Sequence, residues 1–431
     1  MGLRKLLLVM LLAAIAHSLT NATQAANHST SLGPEVNWVV ESNPSKGEDY
    51  ARSICFSHNY IYIVGSDSSP GDRQWRIEMR EKTTGRLVKI WTQNPSKDDD
   101  ELRDCVVVGN RLYVVGYDEV PGNGEWAILM FDLNLTLLKI ERSNPSDGWD
   151  RPNRVATDGK YLYIAGTDAN YRREERTSRG VTIIKGWRWR VEKRDLNLSL
   201  VKVYSAYGGA VDLEGFGINP VTNQLWLAGY IEVERRDDRI LVRPTLEILN
   251  KEDLKVVKNS TLDVFPILGL FFDNEGNGYI YGAGIIKINK DGITLTVEPT
   301  ISLTGVFAGG KVYSLEPEFE KFMSISFNTR EPIYLMSMNR SLVIFANVSD
   351  VEFWGWKAVF DGRSVYIAGS VKREDDFRWL VASISVPVSV RVVALDGFGN
   401  ARDWPVEVLN SSGGVVASGR GGVTVELLSG R

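Results

Sequence analysis

Histidine and cysteine are scarce in this chain, with three His and two Cys among 431 residues. His17 and His28 stand near the N-terminus, which leaves His58 for the body of the protein. Zinc sites built from several histidines and Ser-His-Asp triads both need histidine beside other ligands or catalytic groups. A catalytic cysteine would depend on the same single histidine. The scarcity argues against these classes of enzyme.

The chain also lacks an excess of charge, since its formal net charge is −4 and its pI about 5.7. Nucleic-acid binding needs clustered cations that neutralise phosphates, so nucleic acid is not expected as a partner. Beyond the N-terminus, no apolar run is long enough to cross a membrane. The chain is instead rich in glycine and aromatic residues, with 40 Gly, 12 Trp and 16 Tyr. That composition suits many short strands joined by tight turns.

The N-terminus has the pattern of a secretory signal peptide, because Arg4 and Lys5 precede an apolar run from Leu6 to Ile15. Small residues that suit cleavage stand at Ala16 and near Ala25. We therefore predict a signal peptide over 1–25, a disordered lead over 26–35, and a secreted or cell-surface protein without a membrane span after cleavage. An uncleaved anchor is the alternative.

Sequons of the form Asn-x-Ser/Thr agree with export, because this acceptor is glycosylated in secreted proteins. Two of them, Asn21 and Asn27, fall in the signal and lead. We predict a glycoprotein modified at the remaining six: Asn134, Asn197, Asn259, Asn339, Asn347 and Asn410.

An internal repeat runs through most of the chain. The triplet Asn-Pro-Ser recurs about every 50 residues, at Asn43, Asn94 and Asn144. A strand-like stretch that ends in glycine follows each triplet at the same distance, at Gly65, Gly116 and Gly166. A tryptophan then follows, at Trp75, Trp126, Trp189 (after an insertion) and, near the C-terminus, Trp379. With weaker copies near residues 225, 278 and 311, the chain contains seven units between 36 and 386.

Each unit has four short stretches of alternating polar and apolar residues, which is typical of the blades of a β-propeller. We therefore predict an all-β fold, with a seven-bladed β-propeller over 36–386. The last unit ends after three strands at Pro387, whereas Asn37–Glu41 forms a strand ahead of the first unit. We predict that this N-terminal strand completes the last blade and closes the ring. A linear solenoid would need two capped ends.

The segment 387–431 differs from the repeats. Its turn at Asp396–Asn400 and its strand "PVEV" resemble the opening of the small Ig-like modules that follow many archaeal and bacterial surface domains. It has too few strands for a whole sandwich, so we predict a partial Ig-like β module. The repeats themselves resemble those of secreted bacterial and archaeal β-propeller proteins, a family defined by architecture more than by activity.

The two cysteines stand one place out of register in neighbouring repeats, at Cys55 and Cys105. Side chains alternate along a strand, so this offset puts them on opposite faces of their sheets. Adjacent blades turn opposite faces towards each other, which predicts a disulfide in an oxidising compartment. Two buried free thiols are the alternative.

Carboxylates recur in register at Asp49, Asp100 and Asp150, in the loops that lead into the innermost strands. We expect them around the mouth of the central channel, where they would form ion pairs between blades with nearby arginines. Calcium coordination and paired-carboxylate glycoside hydrolysis are the alternatives. No other cofactor or metal site is predicted.

Two insertions, over 170–185 and 231–242, lengthen hairpins of the third and fourth units on the same face as these loops. Insertions on one face of a repeat fold often bind partners. We predict binding by their charged residues: Arg172, Arg173, Arg176, Arg179, Arg235, Arg236 and Asp238. The leading hypothesis is a non-catalytic extracellular binding or envelope-scaffold protein for a cell-surface protein or glycan. The alternatives are a carbohydrate-active enzyme that uses Asp49, Asp100 and Asp150, and a structural surface-layer component.

Overall fold

The computed structural model describes residues 34–177, 180–206, 209–236, 239–264, 266–282, 284–298, 304–308, 311–317, 331–337, 342–348, 350–351, 356–373, 376–395, 401–409 and 415–428. The predicted signal peptide, most of the predicted lead, and the sequons at Asn21, Asn27, Asn339 and Asn410 lie outside these residues. Contacts divide the chain into two compact units, of which the larger spans Pro34–Ser389 and the smaller Val390–Leu427. Within the described ranges no helix is long and apolar enough to cross a membrane.

The larger unit consists of antiparallel sheets, and most strands pair with their neighbours along the chain. The first sheet contains β2 (Tyr50–Phe56), β3 (Tyr60–Asp67), β4 (Gln74–Glu81) and β5 (Leu87–Gln93). The second contains β6 (Glu101–Val108), β7 (Arg111–Asp118), β8 (Glu125–Asp132) and β9 (Leu137–Ser143). The third contains β10 (Arg151–Thr157), β11 (Tyr161–Thr177), β12 (Gly180–Asp195) and β13 (Leu200–Ser205).

Three further sheets repeat this order, and the predicted all-β fold is confirmed. The fourth contains β14 (Ala210–Ile218), β15 (Gln224–Arg236), β16 (Arg239–Asn250) and β17 (Val256–Thr261). The fifth contains β18 (Ile267–Phe272), β19 (Gly278–Gly282), β20 (Ile285–Ile288) and β21 (Thr294–Glu298). The sixth contains β22 (Thr304–Ala308), β23 (Lys311–Pro317), β24 (Glu331–Ser337) and β25 (Leu342–Val348).

The last sheet combines strands from both ends of the larger unit. It contains β26 (Asp350–Val351), β27 (Lys357–Phe360), β28 (Ser364–Arg373) and β29 (Asp376–Ser385). The N-terminal strand β1 (Glu35–Ser42) pairs antiparallel with β29, from Glu35 opposite Ser385 to Ser42 opposite Trp379. β1 therefore occupies the outer position that β5, β9 and β13 hold in the first three sheets.

The sheets pack face to face through apolar side chains. The second and third strands are buried along nearly their whole length, as in β3 and β4 of the first sheet, whereas the outer strand β5 is largely exposed. The tryptophans of the repeat are fully buried at Trp75, Trp126, Trp189 and Trp379. First strands contact each other in chain order, from β2 through β6, β10, β14, β18 and β22 to β27, and β27 contacts β2.

The repeated glycine has a steric cause. The first strand of each of the first three sheets has a β-bulge, as between Ala51 and Ser53. The bulge pushes a carbonyl oxygen against the second strand. A Cβ at Gly65 would lie 1.8 Å from the oxygen of Tyr50, so only glycine fits there. The glycines at the matching positions, Gly116 and Gly166, meet the same obstacle.

The smaller unit contains two pairs of antiparallel strands within its described residues. β30 (Pro387–Val393) pairs with β33 (Gly422–Leu428), and β31 (Pro405–Leu409) pairs with β32 (Val415–Arg420). β31 is exposed along one face. The predicted turn at 396–400 lies outside the described residues.

Candidate functional site

The first strands carry a cluster of buried charges. Glu101 is 1% exposed and forms ion pairs with Arg52 of the first sheet, at 2.8 Å, and with Arg103 of its own strand. Burial alone would raise the pKa of Glu101, but the guanidinium groups of Arg52, Arg103 and Arg73 hold it far below the ordinary value. This carboxylate stays ionised and joins the first two sheets.

Ion pairs of the same kind join the third and fourth sheets. Arg151 pairs with Asp212, and Arg154 lies 3.4 Å from Glu214. Burial raises the pKa of Glu214, and the charge of Asp212 adds to this, while Arg154 opposes it. The expected pairing of arginines between neighbouring sheets is present, but its carboxylates are Glu101, Asp212 and Glu214.

The predicted carboxylates at Asp49, Asp100 and Asp150 are fully buried in a recurring hydrogen-bond arrangement. Asp49 accepts bonds from the Ser45 hydroxyl at 2.6 Å, the Ser45 amide at 2.9 Å and the Ser68 amide at 3.1 Å. Asp100 and Asp150 accept the corresponding three bonds in their own sheets. Each carboxylate ties its Asn-Pro-Ser loop to the end of the second strand. Nothing in these contacts favours the carbohydrate-active alternative.

Burial raises the pKa of all three carboxyl groups. Desolvation raises the pKa of Asp49 and of Asp150, and it raises that of Asp100 to about 6, while the serine hydrogen bonds act in the opposite direction. No group of three or more His, Cys, Asp or Glu within the described ranges is arranged to hold a metal ion.

The predicted insertions form two long hairpins, β11–β12 and β15–β16, whose strands pair to their tips. Arg172 is exposed on β11. Arg179 and Asp238 lie outside the described residues. For the other predicted binding residues the structure gives the backbone position alone: Arg173 and Arg176 on β11, and Arg235 and Arg236 on β15.

The bases of the two hairpins lie side by side. Trp187 of β12 pairs with Ala210 of β14, which joins the third and fourth sheets into one. The Glu232 amide donates to the Gly209 carbonyl at 2.8 Å. A Cβ at Gly209 would lie 2.9 Å from the Tyr171 ring and 3.2 Å from the Glu232 side chain. Gly209 therefore lets the two hairpins approach each other.

An exposed tryptophan that the sequence reasoning missed borders these hairpins. Trp149 is 38% exposed, and its carbonyl accepts a hydrogen bond from the Trp187 indole at 3.0 Å. Its ring lies 5.3 Å from that of Tyr117, and its indole donates to Glu119 at 3.1 Å. The repeat could have revealed Trp149, because Glu48 and Asp99 hold the corresponding positions of the first two units. A tryptophan in place of an acidic residue is a departure that the alignment of the units shows.

The predicted cysteine pair is bonded. Cys55 of β2 and Cys105 of β6 form a disulfide with a Cα–Cα distance of 5.9 Å. Both cysteines belong to the apolar cluster between the first two sheets, beside Trp75 and Leu112. The bond links neighbouring sheets covalently through β2 and β6, the two strands that also carry Arg52 and Glu101.

No protein-family model and no curated protein sequence matches this chain. Among solved structures, a chain of the mitotic checkpoint complex is similar at 11% identity, covering 80% of this chain and 94% of that one, with a TM-score of 0.48. The Dos1 propeller is similar at 10% identity, covering 80% and 95%, with a TM-score of 0.47. The WD40 β-propeller domain of Doa1 is similar at 10% identity, covering 81% and 96%, with a TM-score of 0.48.

Identities this low describe a likeness of fold alone. The chain's own strand order is consistent with that likeness, since antiparallel four-stranded sheets packed face to face about their first strands are the units of a β-propeller. The larger unit is a β-propeller repeat architecture.

Proposed function

We propose that this chain is an extracellular, non-catalytic binding protein whose larger unit is a closed seven-bladed β-propeller. Six sheets of four strands and a last sheet completed by β1 agree with seven blades. Closure is supported by the pairing of β1 with β29 and by the contact of β27 with β2. A closed ring leaves few free strand edges, which suits a rigid platform for binding.

The binding surface in this proposal consists of the β11–β12 and β15–β16 hairpins together with Trp149; we call it the outcrop surface. The observation that carries the proposal is the contact of the two hairpin bases through Gly209. Because two long hairpins stand together beside an exposed indole, they form one surface instead of two separate decorations. Binding residues on loops held by a rigid scaffold are a common arrangement.

The chemistry of the outcrop surface fits a protein partner. Tryptophan and arginine are the residues most enriched among those that dominate binding energy at protein interfaces. Trp149 supplies an indole whose edge is already fixed by Glu119, so little side-chain entropy is lost on binding. Arg172, which is exposed on β11, adds a positive charge to this surface, and such charges favour orientation and association rate.

Export and surface location are also part of the proposal. The Cys55–Cys105 disulfide suits an oxidising compartment, as the signal-like N-terminus does. The sequon residues Asn134, Asn197 and Asn259 are exposed, as glycosylation requires, although the Asn259 amide donates to Glu247 at 3.4 Å. Asn134 and Asn197 lie on matching turns at the opposite ends of the strands from the outcrop surface, so glycans there would leave it free. The smaller unit is proposed as a partial Ig-like module that helps to hold the protein in the cell envelope.

Retention of partners from a host envelope extract tests the proposal. Four forms are compared: the full chain, a variant with both hairpins shortened to the length of β7–β8, Trp149→Glu, and the control Glu48→Ala. Trp149→Glu introduces the residue that the first unit has at this position, Glu48. We expect a protein retained by the full chain and the control but lost from the other two. Equal retention by the shortened variant would show that the hairpins are not the site.

A further inference from the structure

A cavity of about 590 Å³ lies at the seam, the contact between the first sheet and the last sheet. Its walls are the turns that follow β2, β4 and β27, together with the start of β1 and the end of β29. These are the opposite ends of the strands from the outcrop surface. The volume is in the range of about 300–1,000 Å³ that small-molecule sites occupy.

The walls of the cavity are held in place before any ligand arrives. The Trp38 indole donates to the Lys82 carbonyl at 3.0 Å, and the Trp38 ring lies 6.3 Å from that of Tyr366. The Lys82 ammonium pairs with Asp361 and lies 5.5 Å from the centre of the Tyr366 ring. Although burial opposes it, Lys82 keeps the pKa of Asp361 below its ordinary value, so the pair stays charged.

The fixed polar groups include amides and hydroxyls suited to a ligand with many hydroxyl groups. The Asn37 amide donates to Ser383 at 3.1 Å and accepts from Ser385 at 2.9 Å, which orients the three side chains. An amide and a hydroxyl can each donate and accept, as a sugar hydroxyl does. Trp38 and Tyr60 add aromatic rings on which the apolar face of a sugar can lie.

One charge in the lining is uncompensated. Asp361 is paired with Lys82, and Glu81 is paired with Arg86 and accepts from Thr84. Arg363 also lines the cavity, is exposed, and has no ion-pair partner within the described part of the chain. His58 and Asn59 are exposed on the facing turn, and among the described residues their side chains make no hydrogen bond. A ligand carboxylate at Arg363 would gain a charge-assisted hydrogen bond.

We propose that the seam cavity binds a monosaccharide or short saccharide that carries one carboxylate. The aromatic rings contact the sugar ring, Asn37 and Asn59 bind its hydroxyl groups, and Arg363 binds its carboxylate. Because the cavity is built from the first and last sheets together, the ligand stabilises their contact. This site is separate from the outcrop surface and its partner.

Titration of the full secreted chain by calorimetry or NMR, with glucuronate, glucose and acetate as probes, tests this. Glucuronate is expected to bind about tenfold more tightly than glucose, the size of one charge-assisted hydrogen bond, and acetate not to compete. Arg363→Gln should remove that tenfold preference. The matched control is Lys160→Gln, which removes a cation from the corresponding turn of the third sheet and should change nothing. Asn59→Ala should weaken both sugars alike.

Glucuronate should also raise the melting temperature, because it binds the folded seam and not the unfolded chain. Three results would overturn the proposal: no saturable binding of glucuronate, equal loss from Lys160→Gln, or equal competition by acetate. Retention of the envelope partner should be unaffected by Arg363→Gln, so a failure here and a failure at the outcrop surface are distinguishable.

Discussion

The first sheet contacts a neighbour on each side, and the two contacts are built differently. Towards the second sheet it is held by the Cys55–Cys105 disulfide and by an apolar cluster. There the Trp75 indole donates to the Tyr117 carbonyl at 2.9 Å. At the seam, Trp379 holds the matching position in the last sheet, but its indole nitrogen has no hydrogen-bond partner within the described residues.

Buried charge is present at both contacts, through Glu101 towards the second sheet and through Glu78 at the seam. Glu78 is fully buried between Arg76, at 2.8 Å, and Arg80, at 2.6 Å, and it accepts a bond from Ser42 of β1. Arg76 also lies 5.6 Å from the centre of the Trp379 ring. Buried ion pairs add little net stability over an apolar contact, but they penalise wrong partners strongly. Both contacts therefore combine an apolar cluster with buried ion pairs, and the disulfide is what distinguishes the contact between sheets adjacent in sequence from the contact between the distant ends.

The largest expected effect on stability comes from removing the disulfide between the first two sheets. The disulfide closes a loop with a sequence separation of 50. Cys55→Ser with Cys105→Ser should lower the free energy of unfolding by roughly 4 kcal/mol, the value expected from loop-closure entropy. Urea unfolding measures this, and reduction of the unaltered protein serves as a control that should give a similar loss. An unchanged midpoint would contradict the role given to the bond.

The polar side of the comparison is tested by Glu78→Ala. The change leaves buried Arg80 without its carboxylate and leaves Arg76 with Asp67 alone, so it should cost about 3 kcal/mol. The same urea titration measures it. Glu81→Ala is the control, because Glu81 belongs to an exposed pair with Arg86, and it should leave the midpoint in place. Equal midpoints for the two variants would mean that the seam does not depend on Glu78.

The two tryptophans give a finer test. Trp75→Phe and Trp379→Phe remove the same volume from buried sites, but the first also leaves the Tyr117 carbonyl without its donor. Trp75→Phe should therefore be more destabilising by about 1 kcal/mol. Thermal unfolding of the pair, side by side, decides this. A larger loss from Trp379→Phe would reverse the assignment of the hydrogen bond.

The smallest expected effect is on the pH dependence of stability, and it again compares the first and second sheets. Glu125 lies opposite Asp118 in the second sheet, where the first sheet has Gln74 opposite Asp67. Burial, with the charge of Asp118, raises the pKa of Glu125 from 4.5 to about 7. The folded state therefore favours protonated Glu125, which stabilises the fold at low pH.

This stability should be complete below about pH 4.5 and should be lost as the pH rises through about 7. Glu125→Gln should flatten that decline, so that the variant melts above the unaltered protein at pH 8 but not at pH 4. Melting temperatures across this range measure it. Parallel curves for the two proteins would show that Glu125 is not the group responsible.

Sequence reasoning works best where the repeat is regular. The register of Gly65, Gly116 and Trp75 predicts the first sheets because each residue meets a fixed steric demand that recurs. The hydrogen-bonding role of Asp49, Asp100 and Asp150 could also have been predicted, since a serine stands four residues ahead of each, at Ser45, Ser96 and Ser146. Side-chain polarity alone pointed instead to ion pairs, because hydrogen bonds to backbone amides leave no compositional signal.

Features that depend on contacts between different repeats could not be predicted from the sequence. Nothing in the one-dimensional pattern shows that Trp187 pairs with Ala210, or that Gly209 lets two hairpins meet. The Arg-x-Glu-x-Arg pattern of 76–80 recurs at 190–194. The sequence does not show that the glutamate of each pattern accepts a hydrogen bond from a serine of the neighbouring sheet. The seam cavity combines residues more than three hundred positions apart, such as Trp38 and Tyr366.

Hydrogen exchange of the β1 backbone tests the closure of the larger unit most directly. If β1 is the outer strand of the last sheet, the amides of Val39–Glu41 should exchange as slowly as those of β5, which holds the outer position in the first sheet. Cys55→Ser with Cys105→Ser should leave that protection largely intact. Exchange of β1 at the rate of an unstructured segment would contradict the closed seven-bladed ring on which the proposed binding surface stands.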